Sequence, residues 1–424
     1  MEQTKTKLWN KDFTILTIGQ MISLIANGIL RFALPLHIFL MSGSAELMGR
    51  VLALSLIPMA ILSPLGGALA DRLNKKWIIV FLDFLTAVII LLYLWTLGSL
   101  SIVPFTTIAL ILFSSIKAVM SSTTDACIPF IVPTDELVSA NSVNMIVTNL
   151  SMLLGPALGG VLLAGFGLEA ILIVSGICLI LATIMELFLK IPNIKQKSSG
   201  NMVKDVLKDM GDCLHFALRK KPIIAKILLI IATTQFTAAS IAIGVPVLIL
   251  QNLGMDERML GISTGLSAIG GIGGGIMAGI LGQKLKIQQS YWTLITKALC
   301  IFSLGLVFFL PTPGFLAYSI ITASMFVMFG ASTIFSIQVA VFVQRSTPTE
   351  LLGKMMGLIM LVALMALPLG SWGYGFLFEY FGEDPWIILF PAAFLMIIVS
   401  LWSMIYFKGL LPESDTDNIS DNHQ

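Results

Sequence analysis

The stretch Gly67-Ala68-Leu69-Ala70-Asp71-Arg72-Leu73-Asn74-Lys75-Lys76 decides the fold. It closes a long apolar run that begins at Val51, turns through charge within a few residues, and gives way to a second apolar run at Trp77. A polar turn this short between two runs of membrane length puts its charges at a membrane surface. Gly67, lacking a side chain, lets another helix approach closely. Asp71 is placed to meet the positive N-terminal end of a neighbouring helix, and Arg72, Lys75 and Lys76 hold the turn on the cytoplasmic side. The expected role is a gating latch rather than a binding site. A general preference for positive charge inside accounts for the basic residues but leaves Gly67 and Asp71 unexplained.

Composition agrees with a membrane setting. Hydrophobic residues make up 57% of the 424 and charged residues 11%, against about 25% charged in a soluble domain. A net charge of +2, dispersed over short loops, gives no footing for nucleic-acid binding. Cys127, Cys178, Cys213 and Cys300 show neither paired nor metal-ligand spacing. The run from Phe13 to Leu40 is longer than the about 7 to 15 residues of a signal-peptide core, so it is expected to stay as a first helix.

With about 20 apolar residues needed per crossing, helices are expected near 13–40, 47–70, 77–97, 104–126, 141–166 and 168–190, then near 222–250, 258–282, 290–310, 314–338, 354–378 and 385–407. The fold class is therefore an all-α membrane protein of twelve transmembrane helices in two pseudo-symmetric six-helix bundles. Residues 1–190 form the first bundle, 191–221 a cytoplasmic linker, 222–408 the second bundle and 409–424 an acidic cytoplasmic tail. Nearly all Lys and Arg fall on one side, against Arg50 and Arg258 on the other, which puts both termini in the cytoplasm. In the linker Val203, Val206, Leu207, Met210, Leu214 and Leu218 recur at helical spacing among charges, the pattern of an amphipathic helix on the inner surface.

The halves read as repeats. At an offset of 212 residues Gly49 falls on Gly261, Gly67 on Gly279, Arg72 on Lys284 and Pro156 on Pro368, while Asp71 falls on the uncharged Gln283. Two repeats rocking about a site between them are how secondary transporters achieve alternating access, and an eroded second latch makes the halves unequal in gating.

The 67–76 turn resembles the loop between the second and third helices of the major facilitator superfamily, Gly-x-x-x-Asp-Arg-x-Gly-Arg-Lys/Arg. Gly67, Asp71, Arg72, Lys75 and Lys76 match; Asn74 stands where the family has Gly, and asparagine tolerates the left-handed backbone such a turn requires. A second motif, Gly155-Pro156-Ala157-Leu158-Gly159-Gly160, resembles the Gly-x-x-x-Gly-Pro-x-x-Gly-Gly element of exporters and antiporters in that superfamily, with Ser151 for the leading Gly. Pro156 bends the helix and the glycines permit close packing. The segment Pro133 to Ser142 resembles the matching loop of bacterial macrolide and multidrug exporters and of siderophore exporters. The resemblance covers essentially the whole chain and implies drug:proton antiport in a bacterial cytoplasmic membrane.

Candidate transport residues follow from polarity inside the membrane. On the first helix Gln20, Ser23, Asn27 and Arg31 share a face that Pro35 continues, expected to line the route between the halves. Lys117, Ser121 and Asp125 share a face of the fourth helix, and Thr233, Thr237, Ser240 and Gly244 a face of the seventh, with Gln235 beside it. Lys297 is read as snorkelling to the inner surface, and His37 as facing the outer interface. Asp83, Asp125 and Glu186 lie near cytoplasmic helix ends. The resemblance implies that Asp125 pairs with the basic turn and joins a charge relay; Glu186 is either a second member of that relay or an interfacial residue beside Lys190.

The glycine run from Gly270 to Gly275 lies inside a membrane helix and lacks the Gly-Lys-Ser/Thr ending of a phosphate cradle. His37, His215 and His423 fall in unrelated places. Neither a nucleophile-base pair nor a metal cluster assembles, so no enzyme, metal or cofactor is expected. The expected function is export of amphipathic small molecules, macrolides or other drugs, by a monomer that uses a proton counter-ion and sits among membrane lipids. Export of a siderophore or other anionic metabolite, lipid flipping, and a non-transport scaffold are the alternatives.

Overall fold

The structure, a computed structural model, describes residues 8–97, 102–191, 202–282 and 285–408, with backbone alone at 64, 67, 68, 71, 138, 202–207, 349, 350 and 408. Its helices are α1 (Lys11–Ser42), α2 (Ala45–Arg72), α3 (Lys75–Thr96), α4 (Ile102–Ile131), α5 (Leu137–Glu186), α6 (Met202–His215), α7 (Pro222–Pro246), α8 (Glu257–Leu281), α9 (Ser290–Phe309), α10 (Gly314–Ser346), α11 (Thr349–Phe381) and α12 (Trp386–Lys408). Among the described residues eleven of them, all but α6, are long and apolar enough to cross a bilayer. At 50 residues α5 would run about 75 Å, more than twice a bilayer core. Gly167, at φ 75° and ψ −179°, breaks it into two arms, at the position where the sequence separates the fifth and sixth crossings. Twelve crossings result.

The repeat is visible in the packing. α1 lies on α5, α2 on α4, and α3 on α5, where Ile90 packs beside Gly176 of the second arm; α7 on α11, α8 on α10 and α9 on α12 repeat the scheme. The bundles meet through α2 with α11 and α5 with α8. Lipid is as apolar as leucine, so helix association in it depends on close fit. A methyl group on Gly49 would lie 2.9 Å from Cα of Gly375, and one on Gly160 would lie 2.7 Å from Cα of Gly261. Gly49 and Gly261 are the residues that the repeat superposes, so the same device is used twice. Around the perimeter large apolar side chains such as Trp95, Phe315 and Ile280 are exposed, as a lipid-facing surface requires.

The two glycine crossings lie towards the end of the molecule opposite the α2–α3 turn, here termed the far end. There Ser44 Oγ and the Glu46 backbone N–H donate to Glu379 Oε2 at 2.9 and 3.1 Å, and Gln251 Nε2 donates to the Gly43 carbonyl at 2.8 Å. A carboxylate of one bundle thus caps the first turn of α2 in the other, where unbonded N–H groups and the helix dipole both favour it.

At the turn itself two expectations are corrected. Asn74 is not left-handed: it has φ −71° and ψ 111°, and its side chain accepts the Lys76 N–H at 3.1 Å, making it the N-cap of α3. Asparagine replaces glycine here because the turn uses its oxygen, not its backbone tolerance. Lys75 does not face the membrane surface; it is buried, with Nζ 4.8 Å from the Phe130 ring centroid, a cation–π contact. Lys76 Nζ donates to the Leu187 carbonyl at 2.7 Å, beside the end of α5. Gly67 and Asp71 are helical within α2; what they touch lies outside the described residues, as do residues 283 and 284 of the second latch.

The linker helix forms as α6 and packs against α11 and α2. Lys354 Nζ meets Asp209 Oδ1 at 2.6 Å. Its apolar face differs from the expected one: Cys213, Phe216 and Ala217 are buried, whereas Leu214 and Leu218 stay exposed. The side chains of Val203, Val206 and Leu207 lie outside the described residues.

Candidate functional site

Between the bundles lies a cavity of about 610 Å³ walled by α1, α2, α5 and α7 to α11. Met48, Met152, Met325, Met328, Phe32 and Phe329 make most of its surface apolar, and Arg31, Gln235, Thr237, Thr264, Lys297 and Ser332 supply its polar atoms. Gln235, Lys297 and Ser332 also line a smaller cavity of about 200 Å³ that runs between α7, α10 and α11. A concave apolar space with a few convergent polar groups is the usual form of a small-molecule site.

Of the expected cavity residues, Arg31 and Gln235 line it. Arg31 Nη1 lies 3.8 Å from the Met59 sulfur, and Lys117 feels its charge from α4 without reaching the cavity wall. Gln20 and Asn27 turn to other partners: Gln20 Nε2 donates to Asn144 Oδ1 at 2.9 Å, and Asn27 Nδ2 to the Ser23 carbonyl at 2.9 Å. The polar face of the first helix is therefore divided, with Arg31 and Pro35 in the cavity and the rest bonded within the bundle. On α7, Thr237 reaches the cavity, while Ser240 is buried and Gly244 lies against Phe378. His37 is half-buried.

Lys297 is the cavity residue that the sequence reading misplaced. It is 5% exposed and does not snorkel. Depth along the helix pointed to the inner surface; the face of α9 on which it lies decides otherwise, and its register with Leu294, Ile301 and Leu304, all buried, was a usable signal.

A second polar centre lies inside the first bundle. Ser23 Oγ donates to Asp83 Oδ1 at 2.8 Å. Asp83 and Glu186 are 1% and 0% exposed and stand within hydrogen-bonding reach of each other. Gly19 makes room for Glu186, since a methyl there would sit 3.3 Å from its Cγ. Asp83 Oδ2 and both Glu186 oxygens have no donor among the described residues. A hydrogen bond between two carboxyl groups requires a proton on one of them. Glu186 is thus not the interfacial residue beside Lys190 that the sequence allowed.

Asp125 lies elsewhere. Its Oδ1 accepts from Asn144 Nδ2 at 2.9 Å, continuing a chain from Gln20, so the partner it shows among the described residues is an amide of α5. The glycine-proline motif serves contacts on two sides of α5: Gly155 lies against Gly28 and Gly159 against Phe32 of α1, while Gly160 and the Pro156 carbonyl face Gly261 of the other bundle.

The model of the Major Facilitator Superfamily matches residues 16–371. Macrolide efflux protein A of Streptococcus pyogenes is 24% identical over 407 residues, covering 92% of this chain and 95% of that protein. Macrolide efflux protein A of Enterococcus faecalis is 25% identical over 344 residues, covering 77% and 99%. The crystal structure of the nucleoside transporter NupG shares the fold, with a TM-score of 0.74 at 17% identity over 94% of this chain and 99% of that one.

Proposed function

Because the chain belongs to the Major Facilitator Superfamily, we propose that this transporter exports bulky amphipathic small molecules by alternating access, coupled to the entry of protons. The observation that carries the reading is the apolar cavity between the bundles, with hydrogen bonds joining the bundles at the far end. Basic residues crowd the turn end, so the positive-inside preference puts that end and both termini in the cytoplasm of a bacterial cell and the far end outside. The cavity is then sealed from the exterior. Residues 1–190 and 222–408 act as the rocking units, 191–221 as their linker, 409–424 as a tail, and the Gly67–Lys76 turn as a gate.

Macrolides are the first substrates to try, because relatives bear that name across most of this chain. Methionine-rich walls adapt to large and varied ligands. For the coupling ion, the Asp83–Glu186 pair is favoured over Asp125: it is dry, lacks donors and lies between three crossings, whereas Asp125 is exposed and bonded to an amide. The Cys127 thiol of α4 lies within the field of Glu186, Lys75 and Asp125, so Cys127, Lys75 and Asp125 are the described titratable groups about the pair.

Flux of labelled erythromycin and, in parallel, of labelled cholate in proteoliposomes tests the reading, with an imposed proton gradient, a gradient-free control and an Asp83→Asn variant. Gradient-dependent movement that the variant loses supports it. Absence of movement of any amphipathic probe by folded protein would falsify it.

A further inference from the structure

The substrate class of the cavity can be narrowed, on the premise that the cavity is the transport site. Its wall carries Arg31 from one bundle and Lys297 from the other, and no aspartate or glutamate lines it among the described residues. Lys297 has no hydrogen-bond or ion-pair partner among the described residues, although it is 5% exposed. Arg31 has a 3.8 Å contact to the Met59 sulfur and no ion pair among the described residues. Lys117 behind it adds like charge and does not neutralise it. The acids of the first bundle do not serve as counter-ions, since Asp83 and Glu186 face each other and Asp125 takes its hydrogen bond from Asn144.

Cations held in an apolar setting within the membrane are costly unless opposite charge stands beside them. Charge that the protein does not balance is left for the ligand to balance. Gln235 lies with Lys297 on both cavities and has no intramolecular hydrogen bond among the described residues, so its amide N–H groups are open to the same acceptor. We propose that the cavity binds a bulky hydrophobic organic anion, its carboxylate or sulfonate held by Lys297 and Gln235 under the added field of Arg31. The methionine and phenylalanine surface takes the apolar body. A charge-assisted hydrogen bond in a dry pocket fixes the orientation of such a ligand and rejects an uncharged copy of it.

Equilibrium binding of radiolabelled cholate to the full-length protein in nanodiscs tests this, beside methyl cholate and erythromycin. Cholate places a carboxylate on a rigid steroid, its methyl ester keeps the body and loses the charge, and erythromycin carries a basic amine. Cholate is expected to bind about tenfold or more tighter than the ester. Lys297→Gln is expected to bring the cholate-to-ester ratio towards unity, while Lys297→Arg preserves it. The ratio is insensitive to a fraction of misfolded variant. Ester or erythromycin binding as tight as that of cholate, no cholate binding, or a ratio untouched by both Lys297→Gln and Arg31→Gln overturns the proposal. Failure of the export reading looks different: cholate bound with its charge preference intact, yet carried by no imposed proton gradient.

Discussion

Asp83 on α3 and Glu186 at the end of α5 face each other at hydrogen-bonding reach, both withdrawn from solvent and neither ion-paired to a described cation. Replacing either with its amide removes the exchangeable proton and keeps the shape. Glu186→Gln and Asp83→Asn are therefore expected to abolish gradient-driven flux while leaving exchange of substrate across the membrane. The melting temperature should hold or rise, because a buried carboxyl without donors is replaced by a group that has them. Flux and counterflow in the same proteoliposomes check this; full gradient-driven flux in both variants removes the pair from the coupling step.

Gly160 and Gly261 touch backbone to backbone between the bundles. A side chain at either position overpacks the crossing, at a cost of about 1–3 kcal/mol to the far-end-sealed state. Gly160→Val should raise the reaction of a Met48→Cys reporter in the cavity wall with a membrane-impermeant maleimide added on the far-end side. An unchanged labelling rate would mean that the crossing is not held by close approach.

Glu379 reaches across the bundle interface to cap α2. Glu379→Gln retains an acceptor but loses the charge at the helix terminus; Glu379→Ala loses both. Losing such a cap costs about 1 kcal/mol, roughly a fivefold shift in population, so Glu379→Ala should expose the same reporter about fivefold more, with Glu379→Gln between. Equal labelling of all three proteins contradicts the clamp.

Asn74 as an N-cap and Asn74 as a left-handed residue make opposite forecasts. Under the cap, Asn74→Asp keeps stability, Asn74→Ala loses about 1 kcal/mol and Asn74→Gly a few tenths. Thermal unfolding of the purified variants in one detergent ranks them. A gain on Asn74→Gly would restore the left-handed turn.

Much of this was legible in the sequence because it rests on length and punctuation. Apolar runs, the break at Gly167 and the matched Gly49 and Gly261 set the crossings and the repeat. What the sequence did not reveal is which way polar side chains face. Distance from the helix end sets the expected place of Asp83, Glu186 and Lys297, whereas rotation about the helix axis sets the place each takes. Rotation is fixed by neighbours that are distant in the chain: Glu186 enters the bundle because Gly19 leaves space for it and Ser23 supports its partner. Gln20 and Asn27 show the converse: Asn144 and the Ser23 carbonyl hold their amides, and neither is among the described lining of the central cavity.

Neither Asp83 nor Glu186 lines the central cavity. On the proposed function, cargo and proton do not contend for the same atoms, as they would if one carboxylate had to release the first to accept the second. An exchanger built in this way links its two passengers through the shape of the protein. Its kinetic signature is a maximal velocity that varies with pH beside a half-saturation concentration that stays nearly constant.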